Sequence, residues 1–370
     1  MSGSAGGSLA SKVFSFSHLY LSFILFSLVL IMKALIRFTL LLIAIQLLSC
    51  NPKRDPHKPM LVPSSSGNPY EVLVVADDSI WGTEAGKALR KVLNSPVPML
   101  PQDEPSFHVT RIKLEDYDRI FNLFRNIIFL KIDDDYRGGK ILFDRNVNAY
   151  PQVIINIHAE NNSQMAEYIA ENKSSLINFL YNEELVRQCD YLSYNHNYAI
   201  SDTVKKVLGC DIFVPSDLLK VKTAKDFVWI SNDGLSTVQN IVVYSYPYAT
   251  QKVFDKQGFI ALRDTFLGRN IPGYNPGSKM QTNKEVVQVN NFNKNGQFIQ
   301  EGRGLWEMSG DAMGGPFISL SRIDSVNNRV IVAETFVYAP SKMKRSILRR
   351  LEASLYTLNM YPELDDKKEE

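Results

Sequence analysis

The chain has 370 residues, of which 45% are hydrophobic and 22% are charged, a composition typical of globular rather than disordered proteins. This length is sufficient for two domains of ordinary size. The formal net charge is +2, but residues 1–50 carry three basic residues and no acidic one, so the remaining chain has 38 basic and 39 acidic residues. No basic stripe is interleaved with aromatic residues, and we expect no nucleic-acid partner.

Residues 32–50 have the pattern of a lipoprotein signal peptide. Residues 32–37 form a short positively charged segment, and residues 38–47 form an apolar segment of suitable length. The sequence Leu-Leu-Ser-Cys at residues 47–50 has the form of a lipobox, in which a small residue precedes the acceptor cysteine. We therefore predict that Cys50 is the first residue of the mature protein and carries a lipid, which anchors the chain to a membrane.

The alternative interpretation of this region is a membrane helix over residues 19–49. Such a helix would bury Lys33 and Arg37 in the bilayer at a cost of about 2.5–3.5 kcal/mol each, so the signal peptide is favoured. Residues 1–31 then form an extension upstream of the start of the signal peptide.

The segment after the anchor, residues 51–69, is predicted to be an extended, solvated tether, because it contains five prolines and a Ser-Ser-Ser-Gly run. No acidic cluster follows Cys50. Such a cluster tends to mark surface export in some Gram-negative groups, so its absence favours a periplasm-facing position, which we expect to be at the outer membrane.

The first predicted lobe covers residues 70–188. A continuous apolar run at residues 71–76 favours a strand buried on both faces, and the helix after it extends to about residue 94. Alternation and helical spacing predict the remaining elements, which are strands at 107–114, 126–132, 140–145 and 152–158 and helices at 117–124 and 163–187.

The second predicted lobe covers residues 189–360 and is followed by a charged tail at residues 361–370. Its predicted helices lie at 201–208, 259–267 and 340–358. Its predicted strands lie at 211–214, 227–231, 239–246, 290–300, 304–308, 316–323 and 329–337. The last helix has one apolar face, and the opposite face is predicted to be solvated because it carries Lys344, Arg345, Arg349 and Arg350. The predicted fold class is α+β, with two lobes of largely antiparallel strands and helices packed on one side.

Two cysteines, Cys189 and Cys210, remain after the anchor. In an oxidising compartment they can form a disulfide, and as buried free thiols they would behave as small apolar residues. The spacing of the two residues leaves both interpretations open.

The glycine-rich segment at residues 302–317 is the most unusual stretch of the chain. It is predicted to form a bulged β-hairpin, with a turn over residues 309–315. If this segment has a function, it would line the rim of a ligand-binding site. Trp306 would then stack on the ligand, and Arg303, Glu307 and Asp311 would be the polar groups.

A second irregular segment covers residues 269–280 and contains Tyr274. Together with Arg263 on the preceding predicted helix, it could fold over the same end of the second lobe. An irregular connector without a binding role is the alternative.

Motifs for catalysis and for metal binding are missing from the sequence. The histidines are scattered, without His-x-His or His-Glu-x-x-His spacing, and there is no Gly-x-Ser-x-Gly sequence. We therefore assign no catalytic residue, and we expect neither a metal site nor a cofactor.

Four segments together resemble an uncharacterised family of Gram-negative lipoproteins. They read VLVVADDSIWGTEAGKALRKVL, GLWEMSGDAMGGPFISLSRID, NNRVIVAETFVYAP and KRSILRRLEASLYTL. The resemblance covers residues 69–358, and residues 306–316 are its most specific part. It implies an exported lipoprotein and supplies no reaction or catalytic residue.

The leading functional hypothesis is a membrane-tethered, non-enzymatic binding or assembly protein of the cell envelope, whose partner is an envelope protein or glycan. A hydrolase of an envelope glycan or peptide polymer is the first alternative. It would use Glu307 and Asp311 as paired carboxylates beside Trp306. A purely structural envelope lipoprotein is the second alternative.

Overall fold

The computed structural model describes residues 62–360, apart from residues 233, 235 and 295. The predicted upstream extension, the signal peptide with Cys50, most of the tether and the charged tail lie outside the described residues. All described residues belong to one compact unit, which contains a five-stranded and a seven-stranded β-sheet.

The first lobe is built on the five-stranded sheet, whose strand order is β2-β1-β3-β5-β4. Its strands are β1 (Glu71–Val75), β2 (His108–Ile112), β3 (Asn126–Ile132), β4 (Lys140–Arg145) and β5 (Val153–Ala159). Its helices are α1 (Asp78–Trp81), α2 (Glu84–Leu93), α3 (Asn162–Glu171) and α4 (Lys173–Asn195). All pairs in this sheet are parallel except the pair of β4 with β5.

The buried strands of this sheet are apolar on both faces, as parallel strands usually are. Val72 and Val74 of β1 pack on one face with the apolar residues of α2, α3 and α4. Leu73 and Val75 pack on the other face with aromatic residues from the segment between β2 and β3, which includes two short 3₁₀ helices. The full-length helices of the first lobe therefore cover one side of its sheet.

The second lobe is built on the seven-stranded sheet, in which every neighbouring pair is antiparallel and the order is β6-β7-β8-β12-β11-β10-β9. Its strands are β6 (Lys220–Ala224), β7 (Phe227–Ser231), β8 (Val238–Pro247), β9 (Met280–Lys294), β10 (Gln297–Met308), β11 (Gly314–Asp324) and β12 (Arg329–Tyr338). Its helices are α5 (Tyr198–Leu208), α6 (Lys256–Asn270) and α7 (Arg345–Tyr356).

The predicted α+β class is confirmed, and across both sheets antiparallel pairs outnumber parallel ones. The seven-stranded sheet differs from the expected one-sided helix cover. Helices α5 and α7 pack on one face, and α6 packs on the other. Almost every residue along the central strands β11 and β12 is buried, so both faces of these strands must be covered by helices. Among the described residues, no helix has the length and apolar character required to cross a bilayer.

Several helices and strands of the structure differ from the predicted ones in their boundaries. The long helix predicted over residues 163–187 is two helices, because Asn172 (φ −94°, ψ 13°) departs from helical geometry and donates its side-chain amide to the Tyr168 carbonyl. Residues 211–214 form no regular strand, and Asp211 makes only an isolated bridge to Asn359. The strand predicted over residues 290–300 is a hairpin, since Lys294 pairs directly with Gln297.

Residues 62–69 of the predicted tether lie within the described residues, and they are hydrogen-bonded to the first lobe. The backbone N–H of Ser65 donates to the Tyr150 carbonyl at 2.9 Å, and that of Ser66 donates to the Leu123 carbonyl at 2.8 Å. The body of the protein therefore begins several residues before the predicted start of the first lobe at residue 70.

Helix α7 joins the two lobes. Its apolar residues pack on the seven-stranded sheet, while its amino-terminal backbone N–H groups meet Glu104 of the first lobe. The Glu104 carboxylate accepts from the N–H of Lys344 at 2.6 Å and from that of Arg345 at 2.8 Å, and Glu104 is itself buried. A carboxylate at this position satisfies N–H groups that have no partner within the helix and complements the helix dipole.

The basic residues of α7 do not form the solvated face predicted from the sequence. Arg349 is only 6% exposed, lies 4.3 Å above the Tyr70 ring and donates to the Ser106 carbonyl at 2.7 Å. Lys344 is also buried, whereas Arg350 makes an exposed pair with Asp217. The prediction was wrong for Arg349 and Lys344 because the first lobe covers this side of the helix.

We expect Glu104→Ala to lower the free energy of unfolding by about 1–3 kcal/mol, since two buried backbone donors lose a charged acceptor. Urea unfolding of the variant and the unchanged protein would measure this loss. Asp103→Ala is the matched control, because Asp103 is exposed and its removal should change stability by no more than about 0.5 kcal/mol. Equal effects of the two substitutions would contradict the capping role of Glu104.

Candidate functional site

Trp306, the predicted stacking residue, is a core residue in the structure. It is 3% exposed, its ring packs edge-on against Phe336, and its indole N–H donates to the Val337 carbonyl at 3.3 Å. Residues of β10 alternate between the two faces of the sheet, and Trp306 faces α6 together with Met308. The indole therefore offers no face to a ligand.

Arg263 is also part of the core rather than of a rim. It is completely buried on α6, where its guanidinium donates to both carboxylate oxygens of Glu334 at 3.0 Å and to the Thr282 hydroxyl at 2.8 Å. The guanidinium also lies 3.9 Å from the centre of the Phe317 ring. Burial raises the pKa of Glu334 above its ordinary value, although Arg263 opposes the rise.

Arg303 lies on the opposite face of β10 from Trp306. Its guanidinium pairs with Glu301 at 2.8 Å and with Glu352 of α7, which also accepts from the Tyr181 hydroxyl. Burial raises the pKa of Tyr181 well above its ordinary value, and the nearby Glu352 carboxylate adds to the rise. Arg303 therefore belongs to a buried polar network between the lobes and cannot act together with Trp306 in one rim.

The two irregular segments do meet at one end of the second lobe. The Ser278 hydroxyl donates to the Ser309 carbonyl at 2.6 Å, and the Asn275 amide donates to the Gly310 carbonyl at 3.2 Å. Tyr274 is 92% exposed beside this contact. The two loops therefore brace each other, which is the arrangement that the sequence left open beside an irregular connector. The side chains expected to form their binding face, Trp306 and Arg263, point into the core.

The two carboxylates of the hydrolase alternative lie near this end. Glu307 of β10 accepts from the amides of Gln281 at 2.8 Å and Asn283 at 3.3 Å. Asp311 lies in the tight turn between β10 and β11, where its backbone N–H donates to the Met308 carbonyl. Glu307 is thus already engaged by two amide donors.

Cys189 and Cys210 are free thiols in the structure. Cys189 of α4 donates to the Ala353 carbonyl at 3.4 Å, and burial raises its pKa to about 11. Cys210 lies in the core between α5 and the seven-stranded sheet, where burial raises its pKa to about 12. The cysteines pack against different clusters of apolar residues and are unpaired in the structure, where Cys210 is buried and Cys189 is half-buried.

An aromatic cleft of about 500 Å³ lies on the α6 face of the seven-stranded sheet. Its wall combines aromatic, aliphatic and polar side chains, which are Tyr248, Gln251, Phe254, Asp255, Asn291, Phe298 and Ile323. The volume falls within the range of small-molecule sites, and a mostly apolar wall with a few polar groups is typical of them. We refer to these seven residues as the aromatic cleft.

Three of the lining residues, Gln251, Phe254 and Asp255, lie on two consecutive capped segments, which we call the floor of the aromatic cleft. The Thr250 hydroxyl accepts from the N–H of Lys252 at 3.0 Å and begins the 3₁₀ helix Gln251–Phe254. The Asp255 carboxylate accepts from the N–H of Gly258 at 2.6 Å and begins α6. Such side-chain caps satisfy the first N–H groups of a helix, so the chain turns twice here without loss of hydrogen bonds.

The carbonyl of Phe254 ties this floor to the β9–β10 hairpin. It accepts from the side-chain amide of Asn291 at 3.0 Å and from that of the buried Gln300 at 2.7 Å. Two donors on one carbonyl hold the 3₁₀ helix at a defined height above the sheet.

Three aromatic rings form the wall of the aromatic cleft. The Phe254 ring lies 5.9 Å from the Tyr248 ring and 4.7 Å from the Phe298 ring, at interplanar angles of 36° and 62°. Phe254 is buried, whereas Tyr248 and Phe298 are half-buried and present part of their rings to solvent. The exposed polar side chains Gln251, Asp255 and Asn291 surround them.

The sequence interpretation missed the aromatic cleft. It placed Asn291 and Phe298 in one continuous strand, although in the structure they lie on the two adjacent strands of a hairpin, two positions apart in register. The Asn-Gly pair at residues 295–296 is the sequence signal that would have revealed the turn, since such pairs favour two-residue hairpin connections. Gly296 has φ +77°, which other residues rarely adopt.

A second cavity, of about 520 Å³, lies at the carboxyl edge of the parallel strands, near Asp77, Asp78 and Lys113. Hydrogen bonds from Arg111 and Lys113 lower the pKa of Asp78, and the Asp77 carboxylate accepts from the N–H of Leu114 at 3.1 Å. The acids nearest this cavity are thus already paired. Within the described residues, no group of three or more His, Cys, Asp or Glu side chains is arranged to hold a metal ion.

Two family models match the chain. Residues 197–357 match the model described as Domain of unknown function (DUF4837), and residues 65–192 match the model described as Domain of unknown function (DUF8532). These matches agree with the resemblance to an uncharacterised family, and neither description assigns an activity. No curated protein is significantly similar to the chain.

Two solved structures share weak similarity with the chain. The Ran-binding protein Mog1p of Saccharomyces cerevisiae is 9% identical, with a TM-score of 0.29, and the match covers 41% of this chain and 90% of that one. The human StarD13 (DLC2) lipid transfer and protein localization domain is 6% identical, with a TM-score of 0.19, and the match covers 43% of this chain and 97% of that one. At these TM-scores neither similarity bears on function.

We expect Glu334→Leu to lower the free energy of unfolding by about 3–5 kcal/mol, because it leaves the Arg263 guanidinium buried and unpaired. Arg263→Met should cost less, since a buried carboxyl group with a raised pKa can become neutral whereas a guanidinium cannot. The double variant should lose less than the sum of the two single losses, as measured by urea unfolding. Arg269→Met, which removes an exposed arginine from the same helix, is the control. Additive losses would show that the two side chains do not form a coupled pair.

Proposed function

We propose that the protein is a lipid-anchored lipoprotein of the cell envelope that binds a ligand through the aromatic cleft. The aromatic cleft carries this proposal, because it exposes two half-buried aromatic rings among three exposed polar side chains on a hydrogen-bonded floor. Half-buried aromatic side chains supply large contact areas at a small cost in conformational entropy, and polar groups around them supply specificity.

The position of the aromatic cleft on the protein favours a binding role. It lies beside α6 on one face of the seven-stranded sheet, while α7 and α5 occupy the other face. The side chains that join the lobes, including Glu104 and Arg349, are therefore not needed to form it. A ligand can enter and leave without disturbing the contact between the lobes.

The amino-terminal signal supports the proposed location. Residues 32–50 have the charged segment, apolar segment and lipobox of a lipoprotein signal peptide, and a lipidated Cys50 would tether the body to a membrane. We propose that the body faces the periplasm at the outer membrane and that its partner is another component of the envelope.

The lipid anchor is tested by Cys50→Ser. When the full chain is expressed in a Gram-negative host, the unchanged protein should incorporate a labelled fatty acid and remain with the membrane fraction after a carbonate wash. The Cys50→Ser chain should lose both properties. Cys189→Ser is the matched control, since this thiol is half-buried on α4, outside the lipobox, and its substitution should leave labelling unchanged. Labelling that persists in Cys50→Ser would contradict the anchor.

The ligand-binding role is tested by retention of envelope material. The chain from residue 50, with Cys50→Ser, is immobilised and exposed to a muramidase digest of envelope together with periplasmic extract. We expect it to retain carbohydrate or protein that the variant Tyr248→Ala/Phe298→Ala retains several-fold less. Tyr274→Ala removes an exposed aromatic residue outside the aromatic cleft and should leave retention unchanged. Equal retention by all three proteins would contradict a role for the aromatic cleft, and retention by none of them would favour the structural alternative.

A further inference from the structure

We propose that the ligand of the aromatic cleft is a neutral, hydroxyl-rich sugar ring within a glycan chain. This inference rests on the proposed binding function and specifies the chemical class of its ligand. Three properties of the aromatic cleft support it, namely the arrangement of the rings, the type of the polar groups and the sign of the charge.

The three rings form a curved wall rather than a slot. The Phe254 ring is inclined by 36° to the Tyr248 ring and by 62° to the Phe298 ring. A flat aromatic ligand such as a nucleobase binds best between or upon parallel rings, because offset stacking maximises its contact. A pyranose ring is puckered and presents C–H groups on its faces, so it packs against a curved aromatic wall.

The polar groups around the wall match hydroxyl groups. Gln251 and Asn291 carry amides, which both donate and accept, and Asp255 carries a carboxylate, which accepts. Asn291 uses its N–H₂ group on the Phe254 carbonyl, which leaves its oxygen as an acceptor. Asp255 uses one oxygen on the N–H of Gly258, which leaves the other. Acceptors of this kind suit a ligand that supplies O–H donors.

The charge of the aromatic cleft disfavours anions. Asp255 is the charged member of the seven residues that line it, and neither lysine nor arginine is among them. Lys252 and Lys256 are exposed on the neighbouring helices but do not line the cavity. A phosphate, sulfate or carboxylate group would thus meet a carboxylate with no cation among the lining side chains, and the repulsion disfavours it.

The polar groups also favour a glycan over a peptide. A peptide that binds as an added strand is recognised through its backbone by an exposed strand edge. Here the polar groups are side chains above the face of the sheet, and Asn291 points toward the 3₁₀ helix rather than along its strand. Amides in this position suit the scattered hydroxyl groups of a ring better than the regular backbone of an added strand.

The test compares soluble probes by isothermal titration calorimetry on the chain from residue 50 with Cys50→Ser. Chitotriose and maltotriose are the neutral probes, a sulfated trisaccharide is the anionic probe, and trialanine is the peptide probe. We expect a neutral trisaccharide to bind and the sulfated trisaccharide to bind about tenfold more weakly or not at all. Phe298→Ala should weaken the neutral probe by about tenfold, and Tyr274→Ala should leave its affinity unchanged.

Two further results separate this inference from the proposed function. Asp255→Asn keeps a side chain suited to the helix cap but removes the charge, so it should reduce the discrimination against the sulfated probe.

Stronger binding of the sulfated or peptide probe to the unchanged protein would overturn the sugar assignment. If no neutral probe binds while envelope material is still retained through Tyr248 and Phe298, the sugar assignment fails and the binding function stands. If retention is also absent, both fail.

Discussion

The Glu104 carboxylate is the contact on which the arrangement of the two lobes depends. It accepts the first backbone N–H groups of α7, a helix whose apolar residues belong to the core of the other lobe. The charged residues of α7 that face the first lobe are consequently buried and must be paired, as Arg349 is above Tyr70 and Glu352 is with Arg303. Because one helix belongs to the core of the second lobe and is held by polar contacts to the first, the lobes are expected to unfold together.

This division of roles leaves the opposite face of the seven-stranded sheet available for a site. Helix α6 covers part of that face and is held by the buried pair of Arg263 with Glu334. The aromatic cleft lies at the amino-terminal end of α6, where two amides hold the Phe254 carbonyl. Its shape is set by hydrogen bonds to backbone atoms, so we infer that it is formed before any ligand arrives.

Local sequence predicted the parts of the fold that local physics determines. The strands at residues 126–132, 140–145 and 227–231 were predicted with the boundaries that the structure has. Buried apolar residues define the first and the third of them, whereas residues 140–145 are exposed or half-buried. Strand β6 (Lys220–Ala224) was missed since all its residues are exposed and show no apolar pattern. Arg263 and Arg349 were misjudged because their partners lie far away in the chain, and no local pattern reveals that a charge will be buried. Trp306 and Met308 are two residues apart in β10 and therefore face the same side of the sheet. Because both are apolar, this spacing is sufficient to predict that Trp306 points into the core.

The central claim is that a preformed aromatic cleft receives a sugar ring, and a crystal structure with bound chitotriose tests it most directly. We predict one ring of the trisaccharide against Tyr248 and Phe298, with hydroxyl groups within hydrogen-bond distance of Gln251, Asp255 or Asn291. The 3₁₀ helix and the hairpin should keep their positions in the crystal without sugar. A trisaccharide bound elsewhere on the protein, or an aromatic cleft that stays empty at saturating trisaccharide, would contradict the account.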